Sequence, residues 1–205
     1  MKRTLAVLAL VPALALGQDS SAPKLEEDPR AAKFRDVERG FFVGFEAGYL
    51  HLLDTPTADR EKFPLAGDSG GGAGGILVGA LLGVDIGTRL SVALYAQGGN
   101  ARASADYGAF SLYAGGLDVK VAVLGKKDRN DWERFYVYAH ARGGWAKTYP
   151  EGLFGTDELV VGGGPGIEYY TRLRHFSIGV GADFVYASKA GAAGFALYPT
   201  VRYTF

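Results

Sequence analysis

From residue 41 to the C-terminus, the sequence alternates with a period of two. In segment 41–52, FFVGFEAGYLHL, the odd positions are mostly apolar or aromatic, and the even positions include Gly44, Glu46 and Gly48. Six further segments follow the same rule, 75–86, 89–99, 109–124, 134–146, 175–187 and 194–205, and segment 159–172 follows it more weakly. Because successive side chains of a β-strand point to opposite faces, this period predicts eight strands, each with one apolar face.

The length of these segments and the chemistry of their two faces favour a membrane barrel. The segments exceed the mean soluble strand of about five to six residues and match a tilted strand that crosses a bilayer. A soluble barrel points its apolar face inward. Here the other face carries glycines and single mid-strand charges, which fit a narrow interior. We therefore predict an all-β fold, an eight-stranded antiparallel up-and-down transmembrane β-barrel over residues 41–205.

The connections between the predicted strands differ in length. Those at 53–73 and 147–158 are long, whereas those near 87–88 and 172–174 are short. Long loops at one end and short turns at the other are typical of outer-membrane barrels. The charged connection at 125–133, GKKDRNDWE, fits this alternation poorly.

Two segments precede the barrel. Residues 1–17 combine Lys2 and Arg3, an apolar run and small residues at a cleavage position, which predicts a secretory signal peptide. Residues 18–40 form a charged leader, and Asp28-Pro29 followed by 31–39 is compatible with a short helix. The localisation that follows is the outer membrane of a Gram-negative bacterium, with the leader and the C-terminus in the periplasm.

Composition excludes several classes of function. The chain has no cysteine, so thiolate metal sites and cysteine nucleophiles are absent. Its formal net charge is zero, which argues against binding of nucleic acid. His51, His140 and His175 fall at different heights of different predicted strands, so we expect neither a metal site nor a cofactor.

The charges on the second face are expected to form ion pairs inside the barrel. Strand one meets strand eight when the barrel closes, so a contact between Glu46 and Arg202 is expected. Glycines and paired charges together fill so narrow an interior, which leaves no wide pore. The predicted interior ion-pair network comprises Glu46, Asp118, Lys120, His140, Arg142, Glu168, Asp183 and Arg202.

Outward aromatic residues cluster toward the strand ends, as in the girdles that flank the apolar band of membrane barrels. The predicted membrane girdle consists of Phe41, Phe135, Phe176 and Tyr203 at one end and Tyr49, Tyr113, Trp145 and Tyr186 at the other. Pro165 lies in mid-strand and predicts a bulge or a locally missing hydrogen bond.

The last strand, GFALYPTVRYTF, ends in Phe205 with aromatic or aliphatic residues at alternate positions before it. It resembles the signal by which outer-membrane barrels engage the barrel-assembly machinery, and the chain resembles the small OmpA/OmpX-like barrels. Residues 38–50, ERGFFVGFEAGYL, are similar to the opening of the gliding motility barrels of the CglE type. These resemblances imply outer-membrane lipids, the assembly machinery and envelope proteins of a motility complex as partners.

Two alternatives to a structural barrel remain open. His175-Phe176-Ser177 has the His-x-Ser spacing of the lipid A deacylases, although the nearest downstream carboxylate is Asp183 and no glutamate. A small pore is the other alternative.

The segment at 67–71, GDSGG, resembles a serine-protease motif but lacks the surrounding domain, and no catalytic residue is predicted. We expect a non-enzymatic structural or adhesive component of an envelope assembly.

Overall fold

The computed structural model describes residues 39–53, 73–102, 109–128, 131–149, 158–173 and 175–205. The predicted signal peptide, the leader before Arg39 and the 67–71 motif lie outside these residues. In the described part of the chain, no helix is long and apolar enough to cross a membrane.

The fold is a closed antiparallel barrel of eight strands in which each strand pairs with its neighbours in the sequence and β8 pairs with β1. The predicted fold class is confirmed. The strands are β1 (Phe41–Leu52), β2 (Ala73–Ile86), β3 (Leu90–Arg102), β4 (Ala109–Lys127), β5 (Glu133–Tyr149), β6 (Glu158–Tyr170), β7 (Phe176–Ala187) and β8 (Ala192–Thr204).

The two ends of the barrel differ. The terminal end holds the first and last barrel residues, Phe41 and Phe205, joined by a backbone hydrogen bond of 2.9 Å. The strands are connected there by 87–89, 128–132 and 171–175. The loop end, on the opposite side, holds the connections 53–72, 103–108, 150–157 and 188–191. Gly87 and Gly191 adopt positive φ angles of 68° and 66°, which the tight turns at those positions require.

The β4–β5 hairpin extends further than predicted. The predicted connection at 125–133 is partly strand, since β4 continues to Lys127 and β5 begins at Glu133. The β3–β4 register ends at Leu90 and Val121, so the tip of the hairpin projects beyond β3. A register shift between Ala122 and Leu124 marks a bulge where the projection begins. Charged side chains are compatible with a strand here because the tip lies beyond the apolar band.

Two prolines interrupt the sheet without changing its register. The β6–β7 pairing passes from Gly163–Phe184 to Gly166–Gly181, and the two pairs around Pro165 are missing. Pro165 therefore causes locally missing hydrogen bonds, the second of the two predicted outcomes, and no bulge. Pro199 has the same effect between β1 and β8, where the pairing passes from Glu46–Thr200 to Tyr49–Leu197. Both gaps border the continuously paired β7–β8 hairpin.

Alternation divides the side chains into two sets. Outward positions are apolar along the middle of the strands, with Phe45, Leu94 and Ile178 each at least half exposed. The inward side chains are buried and include most of the charges in the strands. The barrel thus differs from a soluble protein in that its outer face is apolar and most of the charges in its strands lie inside.

Candidate functional site: the interior of the barrel

All eight residues of the predicted ion-pair network point into the interior. Seven are buried, and the Lys120 side chain is 20% exposed. They occupy the half of the interior nearer the terminal end, which we call the charged half. Its residues from β1, β4, β5, β6, β7 and β8 are Glu46, Asp118, Lys120, His140, Arg142, Glu168, Asp183 and Arg202, joined by Asp85 of β2.

Arg142 bridges opposite walls of the barrel. It extends from β5 to Glu46 on β1, four strands away, with Nη1 3.0 Å from Oε1 and Nη2 3.3 Å from Oε2. Its Nε lies 3.1 Å from Asp118 and 3.3 Å from Asp183. The guanidinium group therefore contacts three carboxylates, the bidentate and charge-assisted geometry in which arginine binds most strongly.

His140 lies between two of the same carboxylates. Its Nδ1 is 3.0 Å from Asp118 and its Nε2 is 2.6 Å from Asp183. Only the doubly protonated imidazolium can donate to both. Tyr198 donates to Asp183 at 2.8 Å and accepts from Arg142 at 3.1 Å. Three carboxylates thus share one arginine, one histidine and one tyrosine in a layer across the barrel.

A second group of charges lies closer to the terminal end. Lys120 contacts Glu168 at 2.6 Å, and Ser177 donates to the other oxygen of Glu168 at 2.6 Å. Arg202 pairs with Asp85, whose other oxygen accepts from Ser91 at 2.6 Å. This group contains two acids and two bases, so it is neutral by itself.

The predicted contact between Glu46 and Arg202 is replaced by other pairs. Arg202 lies on Asp85 and stacks at 3.6 Å on the Phe42 ring, whereas Glu46 accepts from Gln97 and Arg142. In the β1–β8 register, Arg202 lies opposite Gly44, two residues nearer the terminal end than Glu46. The stagger of the strands therefore directs Arg202 to a different acid. Neither Asp85 nor Gln97 was included in the predicted network.

The other half of the interior is mostly apolar, with Glu158 and Thr148 as buried polar exceptions at the loop end, which corrects the expectation that glycines and paired charges fill the whole barrel. This apolar half lies toward the loop end. Its larger side chains, Leu50, Leu52, Leu77, Phe110 and Leu112, are no more than 9% exposed. The remaining space is filled by Ala73, Ala101, Ala146, Ala187, Ala192 and Ala196. Near the loop end both faces of several strands are therefore apolar.

The described residues enclose a small cavity in each half of the barrel. The cavity in the charged half measures about 50 Å³ and that in the apolar half about 40 Å³. Arg142 lines both cavities and separates them. Since one water molecule needs at least about 10–15 Å³, the cavities have room for a few water molecules and for no continuous channel.

Arg39, from the end of the leader, lies at the terminal mouth of the barrel. Its guanidinium stacks between the rings of Tyr136 and Tyr170, 4.9 and 4.7 Å from their centroids. It also donates to the Tyr170 hydroxyl at 3.1 Å. The backbone of Gly40, which follows, accepts from Asp85 at 2.8 Å. These contacts attach Arg39 and Gly40 to the rim, although alternation starting at residue 41 could not reveal them.

The predicted girdle residues all point outward near the strand ends. At the terminal end, Phe176, Tyr203 and Phe205 form an aromatic cluster, with neighbouring ring centroids 4.9 and 5.0 Å apart. Phe205 also packs 5.7 Å from Phe41. The last residue is therefore part of the closing seam between β1 and β8. The loop-end members, Tyr49, Tyr113, Trp145 and Tyr186, are exposed.

The His-x-Ser pair is not arranged as a nucleophile and its base. Ser177 is 2% exposed and donates to Glu168. His175 Nδ1 lies 3.0 Å from the Thr204 carbonyl oxygen, and its ring stacks on Tyr203.

Within the part of the chain that the structure covers, no three His, Asp or Glu residues are grouped to hold a metal ion.

No protein-family model and no curated protein sequence matches the chain. Among solved structures, Neisserial surface protein A (NspA) is similar with a TM-score of 0.58 and 18% identity, covering 80% of this chain and 97% of NspA. OprG from Pseudomonas aeruginosa has a TM-score of 0.46 and 12% identity, and the match covers 82% of this chain and 95% of OprG. Ail of Yersinia pestis has a TM-score of 0.41 and 16% identity, and the match covers 82% of this chain and all of Ail. The likeness to NspA shows that this chain shares the fold of an outer-membrane β-barrel.

Proposed function

We propose that this protein is a closed outer-membrane β-barrel that serves as a non-enzymatic, structural component of a cell-envelope assembly. The observation that carries the proposal is Arg142, which extends across the interior to Glu46 on the opposite wall. Among the described residues, the cavities beside Arg142 measure only about 50 and 40 Å³, which supports a role without conduction and without a substrate bound inside. What it offers to other molecules is its outer surface, its loops and its leader.

The outward face supports insertion into a membrane. In the middle of the described strands the outward side chains are uncharged, and aromatic residues flank them at both ends. The closed hydrogen-bonded sheet leaves no unpaired edge in lipid. We place the terminal end in the periplasm, so that the leader faces the cell and the longer loops face outward. Insertion by the barrel-assembly machinery, with Phe205 as its signal, is part of the proposal.

Membrane fractionation tests the location, and planar bilayer recording tests the closed interior. We expect the protein in the outer-membrane fraction and no unitary conductance from the purified barrel. Stable single-channel steps would support the pore alternative and refute the structural role. Loss of acyl chains from lipid A when the protein is added would support the deacylase alternative.

The envelope assembly that we propose is a surface gliding apparatus. The support is the resemblance of residues 38–50 to the motility barrels of the CglE type. Deletion of the gene should abolish or slow single-cell gliding, and the wild-type gene should restore it. As a matched control, Arg172→Ala, an exposed substitution in a turn, should restore gliding equally well. Normal gliding of the deletion strain contradicts the motility assignment and leaves the location unaffected.

A further inference from the structure

The backbone of Gly40 directs the preceding residue, Arg39, into the terminal mouth of the barrel. Gly40 has a φ of 150°, which residues with a β-carbon rarely adopt. Its carbonyl oxygen accepts a hydrogen bond of 2.8 Å from the Asp85 backbone nitrogen. The chain therefore enters β1 through a turn that is fixed to β2, and this turn places Arg39 beside Tyr136 and Tyr170.

Two tyrosine rings form the site that receives the Arg39 guanidinium. The ring centroids of Tyr136 and Tyr170 are 5.6 Å apart, with an angle of 80° between the rings. The guanidinium carbon lies 4.9 and 4.7 Å from them, and the tyrosines are only 4% and 1% exposed. Desolvated rings attract a cation more strongly than exposed rings do. Asp85 and Glu168 lie close enough to add electrostatic attraction.

One donor group of Arg39 is not used in this site. Its Nη1 donates to the Tyr170 hydroxyl at 3.1 Å, whereas Nη2 is buried without a hydrogen-bond acceptor among the described residues. A buried donor without an acceptor costs free energy. The fit therefore depends on the two rings, one hydrogen bond and the positive charge, and a free guanidinium ion offers all of these.

The charge of Arg39 also balances the charged half. With His140 counted as the imidazolium that its two hydrogen bonds require, that half holds five acids and four bases. The acids are Glu46, Asp85, Asp118, Glu168 and Asp183, and the bases are Lys120, His140, Arg142 and Arg202. Arg134, at the same end, has an acid of its own in Asp128. Arg39 is thus the fifth base, and without it one buried acid lacks compensation, which is costly.

We propose that the terminal mouth is a binding site for a guanidinium group and that Arg39 is its intrachain ligand. In this site Arg39 neutralises the charged half and shields the two tyrosine rings from solvent. When the arginine side chain is absent, the same site binds a guanidinium ion from solution. Because the site is formed by barrel residues and Arg39 alone, it is independent of the proposed membrane location and motility role.

Urea-induced unfolding of the full chain in lipid vesicles tests the proposal, with guanidinium chloride or sodium chloride added at the same millimolar concentration. Arg39→Ala should lower the urea midpoint in sodium chloride. Guanidinium chloride should restore about half of this loss or more, because a ligand that binds only the folded state stabilises it. The wild-type protein should have the same midpoint in both salts, since Arg39 already fills the site.

The matched control is Arg172→Ala, at an exposed position of the β6–β7 turn at the same end of the barrel. Guanidinium chloride should not stabilise this variant relative to sodium chloride. Heat-dependent electrophoretic mobility shows which variants are folded, and Arg39→Gln carries the same comparison if the alanine variant does not fold. An unchanged midpoint on loss of the arginine, or equal midpoints of the Arg39 variant in the two salts, overturns the proposal.

Discussion

The two halves of the barrel interior solve the same packing problem with opposite chemistry. In the charged half, side chains from facing strands form ion pairs. A single residue, Arg142, contacts three acids, Glu46, Asp118 and Asp183. In the apolar half, leucines and alanines fill a cross-section enclosed by the same eight strands. Among the described residues, the cavity in each half has room for only a few water molecules, so an open channel would require changes in both halves.

The halves differ in how they respond to the loss of one group. An apolar side chain that is removed leaves a cavity, and its neighbours keep their chemistry. A charge that is removed leaves its partners buried without compensation, which usually costs more than the pair itself contributed. Each contact in the charged half therefore contributes less net free energy of folding, but the loss of one partner destabilises the barrel more than the loss of an apolar side chain.

The largest effect is expected for Arg142→Met. Methionine keeps most of the volume, but Glu46, Asp118 and Asp183 then face one another with His140 as the remaining base of this layer. We expect the free energy of unfolding to fall by about 3–5 kcal/mol. Urea-induced unfolding in lipid vesicles, followed by tryptophan fluorescence, measures the change. Lys126→Met, at an exposed position, is the control, and an equal change in both variants would contradict a buried network.

A smaller loss is expected for Leu77→Ala in the apolar half. Leu77 is 4% exposed and belongs to the apolar cluster, so its truncation leaves a cavity that costs about 3 kcal/mol. Leu82→Ala on the outward face of the same strand is the control, and it should cost only about 1–2 kcal/mol, because it loses contact with lipid but leaves no cavity. The same unfolding assay applies. If Leu77→Ala destabilises more than Arg142→Met, the contrast between the two halves is wrong.

The sequence was informative where the two faces differ most. Alternation in β5 sets Tyr138, His140 and Arg142 apart from Ala139 and Ala141, and the structure places the first three inside. A period of two is sufficient for this conclusion because the pleat fixes which way each side chain points. The strand count and the closed topology follow from the same pattern.

The sequence was less informative where the contrast between faces disappears. Leu50 and Leu77 point inward beside strand positions that are also apolar, so alternation could not separate the apolar half from the lipid face. Ion-pair partners were equally hidden. Whether Arg202 meets Glu46 or Asp85 depends on strand stagger and on the reach of each side chain across the barrel, and neither is encoded in local pattern.

The smallest effect concerns coupling between partners in the charged half. Lys120 and Glu168 are 2.6 Å apart, with side chains 20% and 8% exposed. A double-mutant cycle of Lys120→Met and Glu168→Gln should give a coupling free energy of about 1–2 kcal/mol, because each single variant leaves a partly buried charge without its partner. The double variant should therefore be less destabilised than the two single changes predict together.

The exposed pair of Lys127 and Asp131 provides the matched cycle. Its atoms are 3.1 Å apart, but the side chains are 54% and 83% exposed, so solvent screens the attraction. Lys127→Met and Asp131→Asn should couple by only about 0.3–0.5 kcal/mol. Asparagine suits this position because Asp131 has a φ of 65°, which asparagine tolerates well. Equal coupling in the two cycles would show that the interior charges are solvated like surface charges, and water would then have to enter the charged half from the terminal end.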